Sequence, residues 1–403
     1  MRVPCSWPAD RAYPGLVPTS GSAVVVGGGI GGLAAAIGLS RAGWQVTVFE
    51  RLPGDLDDAG SGISLAANGV RALDALGAGD ALRAAGCFQR RVSTRSPRGT
   101  WLARMDGAEL ERVAGTPIVG IARYELHRLL RTLLPTPVVR EEVTAVEGNA
   151  VVTTSGRHEA EVIVAADGVN SRLRKRFFPA HPGPVYSGSA VIRAITTEPF
   201  TLSSSDFNLT WGRGVEFGYI GLADGRAEWH AVLTIPAGTR YPDPIAEMRR
   251  RFGSWHEPVT ALLDATEPEA VLHHDVYELV TPLPSYVSGR VALLGDAAHA
   301  MQPNLGQGAC QALEDAVTLA HALSSTDVDT ALTRYDAERR PRSQAIARAA
   351  RQTGRMGQQL TNPFGIAMRN LAFRAMPTSV MARSMLRYTR WQPPAKDGPG
   401  TQN

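Results

Sequence analysis

The sequence predicts an α/β fold: a Rossmann-like domain, an antiparallel β-sheet inserted into it, and helices toward the C-terminal end. Three observations lead to this prediction. Ala23–Val26 is apolar and β-branched, as in a buried parallel strand, and it leads through a glycine-rich turn into an apolar helical pattern at Leu33–Leu39. Residues 179–285 contain short alternating segments joined by glycine turns, which is typical of antiparallel strands. Residues 309–391 are mainly helical in pattern.

The glycine-rich turn after the first strand has the spacing of a dinucleotide-binding loop. Gly27 permits the tight turn, Gly29 lets the backbone approach a pyrophosphate, and Gly32 lets the helix pack closely on the strand. The start of the helix, including Ile30 and Gly31, offers free N–H groups and a positive dipole end to a diphosphate. A βαβ unit that binds the ADP part of a dinucleotide is therefore expected here.

An acidic residue follows the second strand of this unit. Gln45–Phe49 alternates like a strand and ends at Glu50, 18 residues after the last glycine of the turn. A carboxylate there accepts hydrogen bonds from ribose hydroxyls and repels a 2′-phosphate, so the pocket suits FAD or NAD rather than NADP. Arg51 is a further candidate contact. The apolar run at 23–39 also resembles a membrane span, but its glycines favour the nucleotide loop.

Composition narrows the class of protein. The chain has 403 residues, 44% hydrophobic and 20% charged, enough for two or three ordinary globular domains. The net charge is +4 and arginines are scattered, so nucleic-acid binding is not expected. Cys5, Cys87 and Cys310 are too widely spaced for a disulfide framework or a metal site, and a cytoplasmic location is expected. Residues 1–20 have no apolar core and are expected to be a disordered leader.

Two further motifs come after apolar strand patterns much later in the chain. Asp167-Gly168-Val169-Asn170-Ser171 follows Val162–Ala166, and Gly295-Asp296-Ala297-Ala298-His299 follows Arg290–Leu294. Together with the first turn, they indicate that three distant segments bind one FAD. The expected segments are 1–20 (leader), 21–178 (FAD-binding domain, first part), 179–285 (substrate-binding β-sheet domain), 286–345 (return of the FAD-binding domain) and 346–403 (C-terminal helices and tail).

These motifs resemble those of the class A flavoprotein aromatic hydroxylases, the family typified by para-hydroxybenzoate hydroxylase. The resemblance covers roughly residues 22–350, and the run from Gly306 to Gln311 is most similar to the urate hydroxylase and zeaxanthin epoxidase branch. By this resemblance, Arg123 is directed at the FAD phosphates and Asp296 at the ribityl chain. The implied cofactor positions in the two later motifs and beside them are Arg123, Asp167, Gly295, Asp296, Pro303, Gly306, Gln307, Gly308 and Ala309.

The resemblance implies an FAD-dependent monooxygenase that hydroxylates or epoxidises an aromatic or polycyclic small molecule. In such enzymes tightly but non-covalently bound FAD is reduced by NADH or NADPH and transfers oxygen from O2 through a flavin hydroperoxide. The chain has no second glycine-rich βαβ unit, so the nicotinamide is expected to bind transiently. Natural-product biosynthesis is favoured over central catabolism, and a monomer or homodimer is expected. A flavin-dependent halogenase or reductase, or a non-catalytic FAD-fold protein, is the alternative.

Substrate residues are expected on the inserted sheet, which would roof a pocket over the flavin. Alternation puts Glu228 and His230 on one face of a strand, and Glu216 could accept a proton from a phenol or an indole N–H. The alternative is that these acids solvate the outer face. Glutamates at the positions where urate hydroxylases carry arginine and tyrosine argue against urate. The catalytic candidates are Arg193, Glu216 and Glu228, and the substrate-contact candidates are Trp211, Tyr219, His230 and Met301.

Three remaining features are assigned structural roles. His299 is expected to support the site from behind, and Cys310 is expected to be a small packed residue. The segment Phe364–Trp391 has the pattern of a basic amphipathic helix pair. Packing of this segment onto the FAD domain is favoured over contact with a membrane or a second subunit. No metal site is expected.

Overall fold

The structure is a computed structural model, and it describes residues 21–53, 61–202 and 206–395. The expected leader, 1–20, lies outside the described residues. The strands are β1 Ser22–Val26, β2 Gln45–Phe49, β3 Gly62–Leu65, β4 Cys87–Phe88, β5 Arg91–Arg95, β6 Trp101–Asp106, β7 Val119–Ala122, β8 Ala145–Glu147, β9 Ala150–Val152, β10 Arg157–Glu159, β11 Val162–Ala165, β12 Val185–Ile195, β13 Asp206–Trp211, β14 Val215–Gly221, β15 Ala227–Thr234, β16 Leu272–Glu278, β17 Val287–Ser288 and β18 Val291–Leu293.

The helices alternate with the strands at first and dominate the chain after β18. Two short 3₁₀ turns, Pro268–Ala270 and Pro303–Leu305, accompany them. The helices are α1 Ile30–Arg41, α2 Ala67–Ala75, α3 Gly79–Ala85, α4 Gly107–Ala114, α5 Arg123–Thr132, α6 Arg172–Phe177, α7 Pro244–Phe252, α8 Val259–Asp264, α9 Asp296–His299, α10 Gly308–Ser325, α11 Val328–Met356, α12 Pro363–Ala375 and α13 Thr378–Thr389.

A five-stranded sheet forms the centre of the nucleotide-binding lobe, with strand order β17-β18-β11-β1-β2. Strands β18, β11, β1 and β2 are parallel, with Ala23 beside Val162 and Ile163 beside Val291. The strand residues are buried on both faces, which explains their continuous apolar runs. Because parallel strands end at the same edge, the loops after β1, β11 and β18 lie side by side there. The three sequence motifs occupy these loops.

A seven-stranded sheet forms the second lobe, with strand order β16-β12-β15-β14-β13-β5-β6. Residues 179–285 supply five of these strands, whereas β5 and β6 come from the segment that the sequence assigned to the FAD-binding domain. Strand β13 pairs in parallel with β5, with Asp206 beside Arg91. This pairing satisfies an edge of β13 that would otherwise be exposed, and only the tertiary structure reveals it. Helices α7 and α8 cover one face of the sheet.

Helices α12 and α13 pack against the second lobe, whereas the sequence interpretation favoured packing of this segment onto the FAD domain. Phe373 of α12 packs edge-on against Trp211 at 5.0 Å between ring centroids. Ala382 of α13 is buried beside Met105 and Leu110. Within the described part of the chain, none of the helices combines the length and apolarity that a membrane crossing requires.

Candidate cofactor and substrate site

In the first glycine turn, the backbone packs tightly against the sheet, whereas the space beside the start of α1 is free of atoms of the described residues. Gly27 has φ +110°, and a β-carbon there would overlap the carbonyl oxygen of Ala166. A β-carbon on Gly32 would overlap the carbonyl oxygen of Gly27. By contrast, a β-carbon on Gly29 would meet no atom within 4 Å. The turn therefore forms a cradle beside the helix N-terminus, where free N–H groups attract an anion.

Two buried side chains hold this turn in place. Glu50 accepts hydrogen bonds from the backbone N–H groups of Gly28 at 2.7 Å and Leu52 at 2.9 Å. His127 of α5 contacts the carbonyl oxygen of Gly28 through Nε2 at 2.8 Å. Burial lowers the pKa of His127, so the neutral ring that donates to this carbonyl is favoured. His127 was not among the residues predicted from the sequence, where its only signal is a histidine on the apolar face of an amphipathic helix.

The second motif is bonded to the third by a buried arginine. Arg174 donates to the carbonyl oxygens of Ala297 at 3.0 Å and Val169 at 2.6 Å. Asp167 accepts from the backbone N–H of Leu173 at 3.1 Å through Oδ2. Its Oδ1 is buried without a hydrogen-bond partner among the described residues. An orphaned carboxylate oxygen at the edge where the three motifs meet fits a bound group with hydroxyls to donate.

The third motif presents backbone rather than side chains. Gly295 and Gly306 have φ values of +62° and +61°. The side chain of Gln307 is buried and accepts from Asn68 at 2.9 Å, while a β-carbon on Gly308 would meet no atom within 4 Å. The N-terminus of α10 is therefore open. Of the remaining predicted cofactor residues, four begin an element: Ile30 (α1), Arg123 (α5), Asp296 (α9) and Pro303 (a 3₁₀ turn). Ala309 lies in the first turn of α10, and Gly31 faces Leu294 and Ala312. The side chains of Arg51 and Asp296 are exposed.

A buried ionic network supports the third motif from behind. His299 contacts Asp315 at 2.6 Å, and Arg339 donates to the same carboxylate at 2.7 Å. Arg339 also pairs with Glu314, and Arg342 donates to Glu314 at 2.7 Å. Burial alone would raise the pKa of Asp315, but His299 and Arg339 lower it to about 2. His299 is thus part of a structural cluster, as the sequence analysis expected.

The inserted sheet directs a row of side chains to the face opposite α7 and α8. Arg193, His230, Gly218 and Leu209 are register partners across four strands. The His230 side chain is 22% exposed, and its Nδ1 lies 3.4 Å from Oε2 of buried Glu228. A β-carbon on Gly218 would lie 2.5 Å from Cε1 of His230. The absence of a side chain at this glycine therefore allows the imidazole to lie across the strand.

A second carboxylate lies on the same face. Buried Glu216 accepts a hydrogen bond from the indole N–H of Trp211 at 2.6 Å. Arg369 of α12 stacks over the Trp211 ring, 5.2 Å from its centroid. Burial raises the pKa of Glu216, and His230, Trp211 and Arg369 only partly oppose this effect. The solvated outer face considered as an alternative is excluded for these two glutamates, since Glu216 and Glu228 are 5% and 3% exposed.

Strand β3 connects this face to the third motif. A β-carbon on Gly62 of β3 would lie 2.8 Å from Cβ of Glu228. A β-carbon on Gly306 would lie 3.4 Å from Oγ of Ser64, also in β3. Glu228, the partner of His230, and the glycine turn before α10 therefore flank the same short strand.

Two of the predicted substrate residues are not brought to this face. Tyr219 lies with Phe217 and Trp229 in the core under α7 and α8, because its separation from Glu216 along the strand is odd. Burial raises its pKa to about 12. Met301 packs against Ile346 of α11. The other candidates, Arg193, Trp211, Glu216, Glu228 and His230, share the face beside β3 and α12.

Comparison with known proteins agrees with this architecture. The family described as FAD binding domain matches residues 21–350. Aurachin C monooxygenase/isomerase of Stigmatella aurantiaca is 34% identical over 362 residues, covering 88% of this chain and 94% of that protein. 3-Amino-4-hydroxybenzoate 2-monooxygenase of Streptomyces cremeus is 35% identical, covering 85% of this chain and 88% of that protein. HpxO of Klebsiella pneumoniae, solved with FAD and uric acid, superposes with a TM-score of 0.86 at 26% identity, over 93% of this chain and 98% of HpxO.

The chain belongs to the FAD binding domain family of flavoproteins. It is an FAD-dependent monooxygenase, and the family resemblance stated from the motifs is confirmed. NAD(P)H serves this family as a transient reductant. The halogenase, reductase and non-catalytic alternatives are not supported, since both relatives whose names state an activity, the aurachin C and the 3-amino-4-hydroxybenzoate enzymes, are monooxygenases.

Proposed function

We propose that the protein oxygenates an aromatic substrate whose ring carries an ionisable O–H or N–H, and that His230 accepts this proton. The observation that supports the proposal most directly is the position of His230. His230 is a partly exposed side chain on the face that meets β3 through Glu228, and it lies between two buried carboxylates. Glu228 and Glu216 act as positioning residues, since each is buried and neither has the exposure of the imidazole.

FAD would be held by the three loops at the carboxyl edge of the parallel sheet. The open sides of Gly29 and of Gly308 provide the space for backbone contacts, and the unpartnered oxygen of Asp167 provides an acceptor. Arg123 would contribute positive charge beside the first turn, because its guanidinium forms no ion pair among the described residues. When bound, FAD supplies the redox chemistry: it accepts electrons from NAD(P)H and activates O2 for transfer to the substrate.

The charges around His230 favour proton acceptance. Burial alone would lower the pKa of His230, but Glu228 and Glu216 outweigh burial and raise it above its ordinary value. A raised pKa makes the neutral imidazole a stronger base toward a phenol or a ring N–H. Loss of that proton leaves negative charge on the substrate ring, which increases its nucleophilicity toward an electrophilic oxygen. The imidazolium that forms is stabilised by the two carboxylates.

Beside Glu216, the same face of the sheet carries a rigid aromatic side chain, Trp211. Trp211 is fixed by its bond to Glu216 and by the edge-on contact with Phe373. Such a wall suits a flat ring system, since aromatic rings pack edge-on or offset at these separations. The similarity to a hydroxybenzoate monooxygenase and to an aurachin monooxygenase/isomerase supports an aromatic substrate from natural-product biosynthesis.

The test compares ionisable substrates with matched ethers. Purified FAD-loaded protein is given 4-hydroxyquinoline or 3-amino-4-hydroxybenzoate, and separately the O-methyl ether of each. We expect the ionisable compounds to accelerate NAD(P)H oxidation and to incorporate ¹⁸O from ¹⁸O2, detected by mass spectrometry. Equal turnover of the ethers would refute the requirement for an ionisable proton.

Variants on the strand pair then test the assignment of the base. His230→Gln should lower kcat/KM about 100-fold, the typical contribution of a positioned base. Glu228→Gln should move the acid limb of the kcat/KM profile to lower pH, because it removes a charge that raises the pKa of His230. Tyr219→Phe should leave kcat/KM within about twofold, since that side chain lies on the other face. An unchanged acid limb in Glu228→Gln would contradict the role of His230.

A further inference from the structure

The C-terminal part of the chain carries an extreme charge asymmetry. Residues 340–395 contain ten arginines and no aspartate or glutamate. Because the whole chain has a net charge of +4, the rest of the protein has a net charge of −6. Six of these arginines are exposed, and none of the six forms an ion pair with a described residue: Arg348, Arg355, Arg374, Arg383, Arg387 and Arg390.

Helix α12 has two opposite faces. Its inner face bears Arg369, which donates to the carbonyl oxygen of Gly357 at 2.7 Å, and Phe373, which contacts Trp211. Its outer face bears a stripe of large apolar side chains at a spacing of four and three residues, which places them on one side of a helix. We call this the α12 stripe: Phe364, Met368 and Leu371, which are 75%, 51% and 61% exposed.

Helix α13 continues the segment after Met376 and Pro377 and is anchored from the inside. Arg71 donates to the carbonyl oxygens of Thr389 and Trp391 at 3.0 and 3.1 Å. Its exposed side chains include Val380, Arg383 and Arg387. Held this way, the segment leaves an apolar stripe and unpaired positive charge at the surface.

We propose that the α12 stripe and the exposed arginines of 348–390 form a docking surface for an anionic lipid bilayer. Large apolar side chains on one helix face, accompanied by arginines and no acids, have the composition of helices that lie in the membrane interface. The apolar groups enter the headgroup boundary, and the arginines are attracted to anionic lipids. From the sequence, membrane contact was the less favoured interpretation of this segment, and packing onto the FAD domain was preferred.

A second copy of the chain is a poorer partner for the same surface. A two-fold dimer brings the same patch of each subunit together, so the exposed arginines would face one another without acidic partners. Like charges at such an interface oppose association. An anionic bilayer instead supplies the missing negative charge along the whole surface.

Vesicle co-sedimentation of the FAD-loaded protein tests the proposal. We expect it to sediment with phosphatidylcholine vesicles containing 30% phosphatidylglycerol, on the order of the anionic content that supports such binding. We expect less sedimentation with pure phosphatidylcholine, and less as salt is raised. Protein that stays in the supernatant with anionic vesicles at low salt would overturn the proposal. Since the assay reads binding, failure of the proposed substrate chemistry would not affect it.

Substitutions separate the stripe from the charges. The triple variant Phe364→Gln/Met368→Gln/Leu371→Gln should lower the bound-to-free ratio at least about tenfold, because three apolar side chains no longer enter the interface. Its control replaces three other exposed large apolar residues, 44%, 41% and 45% exposed, in Phe88→Gln/Val185→Gln/Val280→Gln, and should bind like the wild type.

Charge variants and sedimentation velocity complete the test. Arg374→Gln/Arg387→Gln should lower binding about fivefold per arginine, whereas Lys175→Gln/Arg176→Gln, two exposed cations on α6, should not lower it. Flavin absorbance of each variant reports that it is folded. Wild-type binding by the stripe variant, or a wild-type dimer that this variant dissociates, would show that the stripe does not serve a bilayer.

Discussion

Replacing Gly29 by alanine should weaken FAD binding without destabilising the free protein, whereas Gly32→Ala should destabilise the fold. Gly29 has φ −73°, which alanine adopts freely, and an added β-carbon meets no protein atom within 4 Å. The change in unfolding free energy should be within about 0.5 kcal/mol, since the entropic gain and the loss of an N-cap glycine have opposite signs and similar size. The new methyl group would occupy the space beside the N-terminus of α1.

Gly32→Ala is sterically the opposite case. Its β-carbon would overlap the carbonyl oxygen of Gly27 and lie 3.1 Å from the carbonyl carbon, so the backbone of the turn must move. Overpacking of this kind costs about 1–3 kcal/mol, and more when the obstacle is backbone. Helix propensity returns at most about 1 kcal/mol. We therefore expect a net destabilisation of about 2 kcal/mol.

The assay measures two quantities for each variant. Urea denaturation of the FAD-free protein gives the unfolding free energy, and quenching of FAD fluorescence on titration gives the affinity. Gly29→Ala should bind FAD at least about tenfold more weakly, equivalent to about 1.4 kcal/mol, at nearly unchanged stability. If Gly29→Ala binds FAD like the wild type, or loses as much stability as Gly32→Ala, the open side of the turn does not hold the cofactor.

Further predictions concern the buried network and the cysteines. Arg339→Met should destabilise the protein by about 3–5 kcal/mol in urea denaturation, because Glu314 and Asp315 then lose their buried cation; a loss below about 1 kcal/mol would show that the network is not essential. The pKa of Asp315 is lowered to about 2 in the folded protein, so its ionised form stabilises the fold. This stabilisation is complete above the unfolded pKa of about 3.9 and is lost as pH falls toward 2. Asp315→Asn should therefore flatten the acid side of a plot of unfolding free energy against pH. Burial raises the pKa of Cys310 to about 12, so iodoacetamide at pH 8 should label Cys87 of the native protein and spare Cys310, as peptide mass mapping would show.

The cofactor lobe could be predicted largely from the sequence because its signals are local. Gly27 and Gly295 occur where the backbone has positive φ, and Glu50 ends a strand beside the turn it supports. Each of these backbone and hydrogen-bonding requirements selects a residue type at a fixed place in a turn or at a strand end, so the motif can be recognised in the sequence. The parallel strands also place their loops at one edge without further information.

The substrate face could be predicted only in part. Alternation correctly placed Glu228 and His230 together, with Trp229 in the opposite core. The same rule separates Tyr219 from Glu216, which differ by three positions, but both were assigned to one pocket. Met301 lies in a loop, so no periodicity indicates its neighbour on α11.

Alone, the sequence determined the class of this protein: three loops with specific backbone requirements on one parallel sheet. The tertiary structure decided which face of the inserted sheet bears the ionisable side chains, that β5 and β6 complete this sheet, and that α12 is buried on one side only. The physical reason is the range of the interactions. A turn depends on the backbone of adjacent residues, whereas burial and charge pairing depend on side chains that folding brings together from distant positions, such as Trp211 and Arg369.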